Sequence, residues 1–334
     1  MADGPAAGEL DVIGIGNALV DVLSQESEEF LAGHGLVKGA MQLVDEARAR
    51  QLYEAMGPGI EVSGGSAANT IVGVASFGGR AHYVGKVRDD QLGEVFAHDL
   101  RSTGVGYTTP PAASGPATGR CLVVVTPDAQ RTLSTYLGAA VQLGPADIDT
   151  PLITRGRILY LEGYLFDPPA AQQAFRVAAA CAHAAGRRVA LTLSDPFCVD
   201  RHRAAFLDLV EHHVDVLFAN EAEIRSLYQV GDFDEALGRV RRHCELAALT
   251  RSERGSVVVA GDEVHVVQPH PVESVVDTTG AGDLYAAGFL IGLSRGLKPA
   301  DCGRLGSLAA AEVISHVGAR PRTSLGDLAG ALLR

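Results

Sequence analysis

Short apolar runs of strand length alternate with segments of helix length along most of this chain. The runs lie at residues 12–15, 82–84, 158–161, 189–193, 216–218 and 247–249. One intervening segment, residues 170–185, repeats its apolar side chains at the spacing of a helical face. Alternation of this kind is typical of βαβ units around a parallel sheet. It therefore predicts an α/β body in which helices cover the sheet.

Two stretches break the alternation. Residues 121–126 and 131–136 flank a short turn at 127–130, which is typical of a β-hairpin, and residues 24–44 end in an apolar pair. We expect both to supply a small inserted β-sheet lid, at about 17–46 and 106–138, on an α/β body formed by the remainder of a single domain, 1–334. A stretch rich in Pro, Ala, Gly, Ser and Thr, 108–117, would be its flexible connection.

Charge and cysteine content exclude several classes of protein. The 334 residues include 28 basic and 40 acidic ones, a formal net charge of −12, so nothing would attract nucleic acid or an anionic membrane at long range. Five cysteines without a C-x-x-C pair argue against a disulfide framework or a zinc site. Residues 1–10 have no basic stretch or apolar run, and the longest apolar stretch is only 284–293. We expect a cytoplasmic monomer or homodimer that acts on a small molecule.

The segment D-T-T-G-A-G-D, residues 277–283, is the strongest chemical signal. Its glycine-rich turn enters a helix directly, so the backbone N–H groups of Gly280, Ala281 and Gly282 could bind a phosphoryl oxygen beside the positive end of the helix dipole. Asp283, ionised beside this anion hole, could accept the proton of a substrate hydroxyl that attacks a γ-phosphate. The alternative is an ordinary capped helix N-terminus.

A second candidate, N-E-A-E at residues 220–223, follows the apolar run 216–218. Asn220 and Glu223 have the spacing of a capping box. The carboxyl end of a strand is also where α/β sheets bind ligands, so Glu223 could organise the waters around Mg²⁺ on nucleotide phosphates. The two roles are compatible.

Paired glycines begin the third candidate, G-G-S-A-A-N at residues 64–69. Gly64 and Gly65 permit close approach of the backbone to a ligand, and Asn69 offers a donor and an acceptor to sugar hydroxyls. Asn17 and Asp21 follow the first strand and could bind hydroxyls from the opposite side. The alternatives are a tight loop with helix packing for the glycines and turn chemistry for the other pair.

Three familiar kinds of site are absent from the sequence. Residues 14–19 lack the third glycine of a dinucleotide fingerprint, no G-x-x-x-x-G-K-[ST] occurs, and the 11 histidines form neither H-x-x-x-H nor H-E-x-x-H. A Rossmann dehydrogenase, a P-loop phosphate site and a catalytic metal site of the His type are therefore disfavoured.

The order of the motifs, G-G-S-A-A-N early, N-E-A-E in the middle and D-T-T-G-A-G-D late, resembles the PfkB or ribokinase-like family of sugar and nucleoside kinases over nearly the whole chain. One departure is Tyr285, which stands where phenylalanine is usual. The resemblance implies a doubly wound three-layer α/β/α body with a β lid. It also implies phosphoryl transfer from ATP to a primary alcohol, with Asp283 as the base and residues 280–282 as the anion hole.

The same resemblance assigns nucleotide and metal contacts. The residues near ATP would be Asn220, Thr250, Ser252 and Gly255, although many relatives carry glycine at the position of Ser252. Glu223 would support Mg²⁺ through water. Relatives hold a monovalent cation such as K⁺ at positions that correspond to Asp277, Thr279, Val313 and Gly318.

Within the family, residues 16–21 and 131–140 resemble the adenosine kinase branch, which implies phosphorylation of the 5′-hydroxyl of adenosine to AMP in purine salvage. Ribose would contact Asn17, Asp21, Gly65 and Asn69, with Gly64 beside them. Arg131 on the lid would approach the transferred phosphate. The residues that would flank the base are Leu19, Cys121 and Phe166, for each of which core packing is the alternative.

Two other functions remain open at this point. One is a family kinase for another nucleoside or for a free sugar such as ribose or fructose, and a comparison of substrates would separate it from an adenosine kinase. The other is a ligand sensor that keeps the fold without turnover, although the intact segment 280–283 gives no reason to prefer it.

Overall fold

The computed structural model describes residues 9–128 and 130–333. Its strands are β1 (Leu10–Ile15), β2 (Leu19–Gln25), β3 (Met41–Leu43), β4 (Ile60–Gly64), β5 (Ala81–Val84), β6 (Gly106–Tyr107), β7 (Gly119–Val125), β8 (Arg131–Tyr136), β9 (Gly156–Glu162), β10 (Arg188–Thr192), β11 (Val216–Asn220), β12 (Leu246–Thr250), β13 (Ser256–Ala260) and β14 (Glu263–Val267). Its α-helices are α1 (Glu28–Gly33), α2 (Glu46–Ala55), α3 (Ser66–Ser76), α4 (Gln91–Ser102), α5 (Thr150–Ile153), α6 (Pro169–Ala184), α7 (Pro196–His212), α8 (Glu221–Tyr228), α9 (Phe233–His243), α10 (Ala281–Ser294), α11 (Pro299–Ile314) and α12 (Leu325–Ala329).

The larger sheet has nine strands in the order β14-β13-β12-β11-β10-β9-β1-β5-β6. Pairing is parallel from β12 through to β6 and antiparallel for β13 and β14. All six apolar runs predicted as strands lie in this sheet, because strands buried on both faces must be apolar throughout.

Helices cover both faces of this sheet. Apolar side chains of α3, α4, α10, α11 and α12 pack against one face, and those of α5 to α9 pack against the other. The predicted three-layer α/β/α body is therefore observed. None of the helices in the described part of the chain is long and apolar enough to cross a membrane.

Strand β1 marks the point at which the strand order reverses. The chain adds β5 and β6 on one side of β1, and β9 to β12 on the other. Ligands of open α/β sheets bind in the crevice outside the carboxyl ends of strands at such a switch point. The residues that follow β1 and β9 are thus placed for a site.

The smaller sheet has five strands in the order β3-β8-β7-β2-β4, and α1 and α2 pack on one of its faces. The predicted hairpin is its antiparallel pair β7 and β8. The predicted bounds of the lid, 17–46 and 106–138, differ from the structure at two places. Strand β4 is an edge strand of the lid, paired with β2, whereas β6 belongs to the body sheet. Both are short edge strands with glycine at one end, and such strands have little periodic signal.

Two predictions extend beyond the described residues. The turn of the hairpin includes residue 129, and the N-terminal stretch without a basic or apolar run includes residues 1–8.

Candidate functional site

Asp283 lies in the first turn of α10, with its carboxylate directed toward α3. Its Oδ1 accepts a hydrogen bond from the Ser66 hydroxyl (2.6 Å) and its Oδ2 accepts one from Asn69 Nδ2 (3.1 Å). Burial raises the pKa of Asp283 to about 6, although these two hydrogen bonds oppose the rise. A carboxylate of this kind is mostly ionised at neutral pH and is a much better proton acceptor than an exposed aspartate.

The turn before α10 is shaped by Gly280, whose φ of +81° is a left-handed conformation. A Cβ at this position would also lie 2.7 Å from the Ala319 carbonyl oxygen, so a larger residue does not fit. Ala281 N donates to Thr278 O over 3.2 Å, and this amide is therefore engaged in the turn. Gly280 N and Gly282 N have no backbone acceptor among the described residues. Of the three amides predicted as the anion hole, two are available.

The carboxyl ends of β1 and β9 meet at a buried pair, Asn17 and Glu162. Glu162 Oε1 accepts from Asn17 Nδ2 (2.8 Å) and Asn17 N (3.2 Å), and its Oε2 accepts from Ala67 N (2.7 Å). This arrangement turns Asn17 Oδ1 away from Glu162. That oxygen is buried and has no hydrogen-bond partner in the described chain. A buried polar atom without a partner is expected where a ligand supplies the missing hydrogen bond.

One face of the lid sheet carries most of the predicted lid residues. Asp21 pairs with Cys121, and Arg131 pairs with Val125, four register positions further along the same strands. Because side chains alternate between faces, Leu19, Asp21, Cys121 and Arg131 share the face opposite α1 and α2. Burial raises the pKa of Asp21 to about 6, and the charges of Arg320 and Arg131 oppose the rise.

The paired glycines allow close packing within the lid sheet, at Gly64, and where the lid joins the body, at Gly65. A Cβ on Gly64 would lie 2.4 Å from the Asp21 carboxylate, and a Cβ on Gly65 would lie 2.3 Å from the Asn17 carbonyl oxygen. Gly65 also has φ of +100°. The structure thus brings together Asn17, Asp21, Gly64, Gly65, Asn69 and Asp283.

Phe166 does not join them. Its side chain is fully buried on the far face of the sheet, where it packs on Phe175 and Phe206 at ring-centroid distances of 5.9 and 4.6 Å. The core-packing alternative therefore describes Phe166, because its ring has no surface left for a ligand.

The predicted nucleotide residues cluster at the ends of β11 and β12. Asn220 Oδ1 accepts from Glu223 N (2.9 Å), and Glu223 accepts in return from Asn220 N (2.9 Å), which is the predicted capping box. Burial raises the pKa of Glu223 to about 7, although the hydrogen bond from the Asn220 backbone opposes this. Ser252 has φ of +51°, a left-handed conformation that glycine adopts more readily than serine. Thr250, at the end of β12, pairs with Ser256 after the turn that contains Gly255.

The four residues predicted to hold a monovalent cation lie around the loop before α10. Asp277 Oδ1 accepts from the Thr279 hydroxyl (2.7 Å), and its Oδ2 accepts from Gly318 N (2.9 Å). Val313 is buried in the last turn of α11. Arg131 Nη2 lies 3.0 Å from Asp277 Oδ2 as an ion pair between the lid and the body. Burial alone would raise the pKa of Asp277, but these hydrogen bonds and the Arg131 charge bring it below its usual value.

Sequence reasoning missed several residues of this cleft. Glu162 directly follows a predicted strand, so its position at a strand end was the available signal. Ser66 lies inside a motif in which only the two glycines and the asparagine received a role. Met41 and Leu43 on β3 are 51% and 54% exposed. They lie on the face of the lid sheet opposite α1 and α2, which we call the inner face of the lid. A strand was expected within residues 24–44, but three residues are too few for an alternating pattern to show which side chains face inward.

Comparisons with known proteins cover most of the chain. A model described as pfkB family carbohydrate kinase matches residues 59–324. The structure of an adenosine kinase from Sinorhizobium meliloti is similar with a TM-score of 0.89 and 52% identity, covering 96% of this chain and 99% of that one. A probable sugar kinase protein from Rhizobium etli gives a TM-score of 0.91 and 49% identity, covering 98% and 99%. Adenosine kinase of Saccharomyces cerevisiae is 28% identical, covering 91% of this chain and 94% of its own length.

Proposed function

Because the chain belongs to the pfkB family of carbohydrate kinases, which are phosphotransferases with an alcohol acceptor, we propose that it transfers the terminal phosphoryl group of ATP to the 5′-hydroxyl of adenosine. Membership of the family confirms the resemblance found in the sequence, and no observation favours the ligand-sensor alternative. The acceptor and the roles of individual residues are the proposal.

The observation that carries the proposal is the partly buried carboxylate of Asp283 beside two available amides. The 5′-hydroxyl would donate its proton to Asp283 as its oxygen attacks the γ-phosphorus, and the bond to the β,γ-bridging oxygen would break to release ADP. Gly280 N and Gly282 N would stabilise the charge on the phosphoryl oxygens. Arg131 would add its positive charge from the lid.

Ribose hydroxyls fit the acceptors that remain open in the cleft. The hydrogen bond from Asn17 Nδ2 to Glu162 sets the orientation of the Asn17 amide, and Asn17 Oδ1 receives no hydrogen bond among the described residues. Asp21 receives no side-chain hydrogen bond in the described chain, and its carboxylate lies beside Gly64 on the neighbouring lid strand. Two hydroxyl groups on adjacent ribose carbons would supply donors for both. Neither the lid nor the body completes this set alone.

Two observations favour a nucleoside over a free sugar. The exposed side chains of Met41 and Leu43 give the inner face of the lid an apolar surface, which suits a purine and not a ring of hydroxyls. A 52% identical structure is that of an adenosine kinase. A free-sugar kinase is the second candidate, because a 49% identical structure is described as a probable sugar kinase.

The metal ions implied by the family differ in how well they fit. Glu223 already accepts two hydrogen bonds from Asn220, and the described residues contain no group of three or more His, Cys, Asp or Glu side chains arranged to hold a metal ion. This suits Mg²⁺ that arrives on the nucleotide and keeps its waters, where it would neutralise phosphate charge. A K⁺ ion fits less well, since the Arg131 guanidinium occupies Asp277 Oδ2 in this arrangement. No step is derived through K⁺.

A substrate comparison with two variants tests the proposal. We expect kcat/KM with ATP and Mg²⁺ to be at least about 100-fold higher for adenosine than for ribose or fructose, because only the nucleoside fills the apolar face. Asp283→Asn should lower kcat by about 10³-fold while adenosine binding, measured by calorimetry, changes little. Asp262→Asn, at an exposed position on the surface, is the matched control and should act as wild type. A preference for ribose or fructose, or an unchanged kcat in Asp283→Asn, would contradict the proposal.

A further inference from the structure

A single guanidinium group lies behind the site, and none of the sequence motifs includes it. Arg320 follows α11 and its side chain is only 18% exposed. Its Nε donates to Asn69 Oδ1 (3.3 Å), its Nη1 to Asp99 Oδ2 (3.0 Å) and its Nη2 to Ser63 Oγ (2.7 Å). The partners belong to α3, α4 and the lid strand β4. One side chain therefore links the lid strand β4 to two helices of the body, one of which is α3, whose Ser66 and Asn69 donate to Asp283.

The contact with Asn69 determines which way round its amide lies. A guanidinium only donates hydrogen bonds and an ionised carboxylate only accepts them. Asn69 lies between one of each, Arg320 and Asp283. Its oxygen must therefore face Arg320 and its nitrogen must face Asp283. In the reversed orientation the amide NH₂ would face the guanidinium N–H groups and the amide oxygen would face the carboxylate.

The position of Arg320 is itself tightly set. Asp99 Oδ2 accepts from Ser63 N (2.8 Å) and from the Ser63 hydroxyl as well as from Arg320. Ser63 Oγ in turn accepts from Arg320. The guanidinium is thus held by a closed set of three groups, and it has little freedom to turn away from Asn69.

We propose that Arg320 is a positioning residue for the phosphoryl transfer: it locks the Asn69 amide so that Asn69 donates to Asp283, and thereby holds the base ionised and correctly oriented. This rests on the proposed role of Asp283 as the base. Asp99 and Ser63 act one step further out, by holding Arg320.

Other ionisable groups also face Asp283, and the test must separate them from Arg320. They are Asp21 on the lid, Glu162 at the end of β9, and the phenols of Tyr83, Tyr160 and Tyr164. Among the described residues, only Ser66 and Asn69 donate side-chain hydrogen bonds to the Asp283 carboxylate. A loss of the Asn69 hydrogen bond should thus raise the pKa of Asp283 further.

The experiment follows the titration of Asp283 itself, in the whole protein without substrates. The protein is labelled with carboxyl ¹³C-aspartate, and the NMR signal of the Asp283 carboxyl carbon is identified as the one that disappears in Asp283→Asn. We expect Arg320→Met to raise the titration midpoint by about one pH unit, and to lower kcat for adenosine by roughly tenfold or more with a smaller change in KM. Arg322→Met is the matched control, because the Arg322 guanidinium donates to the Val317 carbonyl oxygen at an exposed position and has no contact with Asn69; it should leave the midpoint and kcat unchanged.

A double-mutant cycle with Asn69→Ala distinguishes action through the amide from action through space. In that background Arg320→Met should add no further shift, whereas a shift of the same size would overturn the proposal. An unchanged midpoint and kcat in Arg320→Met, with only lower thermal stability, would also overturn it. If Arg320→Met does not fold, the titration midpoint of Asp283 is measured in Arg320→Lys instead, where it should also rise, since a lysine cannot make all three contacts. The titration needs no turnover, so it stands even if adenosine proves not to be the substrate.

Discussion

Three carboxyl groups lie in the cleft, of which Glu162 is buried and Asp21 and Asp283 are partly buried, and desolvation raises the pKa of each. The values are about 6 for Asp21, about 7 for Glu162 and about 6 for Asp283. In each case desolvation is the largest cause and hydrogen bonds or nearby guanidinium charges oppose it. Such groups cluster at functional sites because a base that works near neutral pH must have a raised pKa.

The acid limb of the pH profile should therefore lie near pH 6. A protonated Asp283 cannot accept the hydroxyl proton, so kcat/KM should fall as the pH drops below about 6 and stay level above it. An ordinary aspartate would place this fall near 4. Since Asp21 titrates in the same range, the slope of log kcat/KM should approach two below pH 6, and Asp21→Asn should return it to one. A profile that stays level down to about pH 4.5 would contradict this assignment.

At the scale of elements, the site depends on how closely α3 and α10 approach. Ser66 and Asn69 on α3 reach Asp283 on α10 because Gly73, one turn beyond, leaves room for the neighbouring helix. A Cβ on Gly73 would lie 2.6 Å from the Ala287 Cβ and 2.7 Å from Leu284 Cδ1. The helices would have to separate to accept it.

Gly73→Ala should accordingly destabilise the protein. We expect a loss of ~1–3 kcal/mol in the free energy of unfolding, measured with denaturant, because an added methyl overpacks the helix contact. Gly238→Ala on α9 is the matched control, since a Cβ there meets nothing within 4 Å, and it should stabilise by up to ~1 kcal/mol through helix propensity. Equal stability of Gly73→Ala and wild type would show that the helices are not packed this closely.

At the scale of the whole molecule, the lid and the body are joined across the cleft by the ion pair of Arg131 and Asp277. The two side chains are 11% and 10% exposed, so the pair is screened less than a surface pair. Cys121 lies on the inner face of the same lid and is buried, and burial raises the pKa of its thiol to about 12. An opened lid would expose this thiol.

Arg131→Gln should make Cys121 easier to modify. We expect its rate of reaction with a thiol reagent, followed by mass spectrometry of the peptide, to rise about fivefold, equivalent to ~1 kcal/mol for the lost ion pair. Adenosine should slow the reaction in the wild-type protein. Arg120→Gln, on the outer face of the same strand pair, is the control and should leave the rate unchanged. If neither Arg131→Gln nor adenosine changed the rate of Cys121 modification, the lid would not open at this contact.

Local patterns in the sequence were enough for the parts of the protein that depend on neighbouring residues. The six body strands were predicted because burial on both faces demands continuous apolar runs. The capping box of Asn220 and Glu223 and the turn of Gly280 were predicted because their hydrogen bonds or dihedral angles involve residues only a few positions apart. The motif residues of the cleft were also predicted, although the roles of several came from the family resemblance.

The partners of those residues were decided by the tertiary structure alone. Ser66 lies 217 residues from Asp283, and Asn17 lies 145 residues from Glu162, so no local pattern relates them. Phe166 carries the same apolar ring whether it lines a cleft or the core, and only the packing of the sheet shows which. Hydrogen bonds between distant segments depend on the direction in which each element presents its side chains, and that direction is set when the helices pack on the sheets.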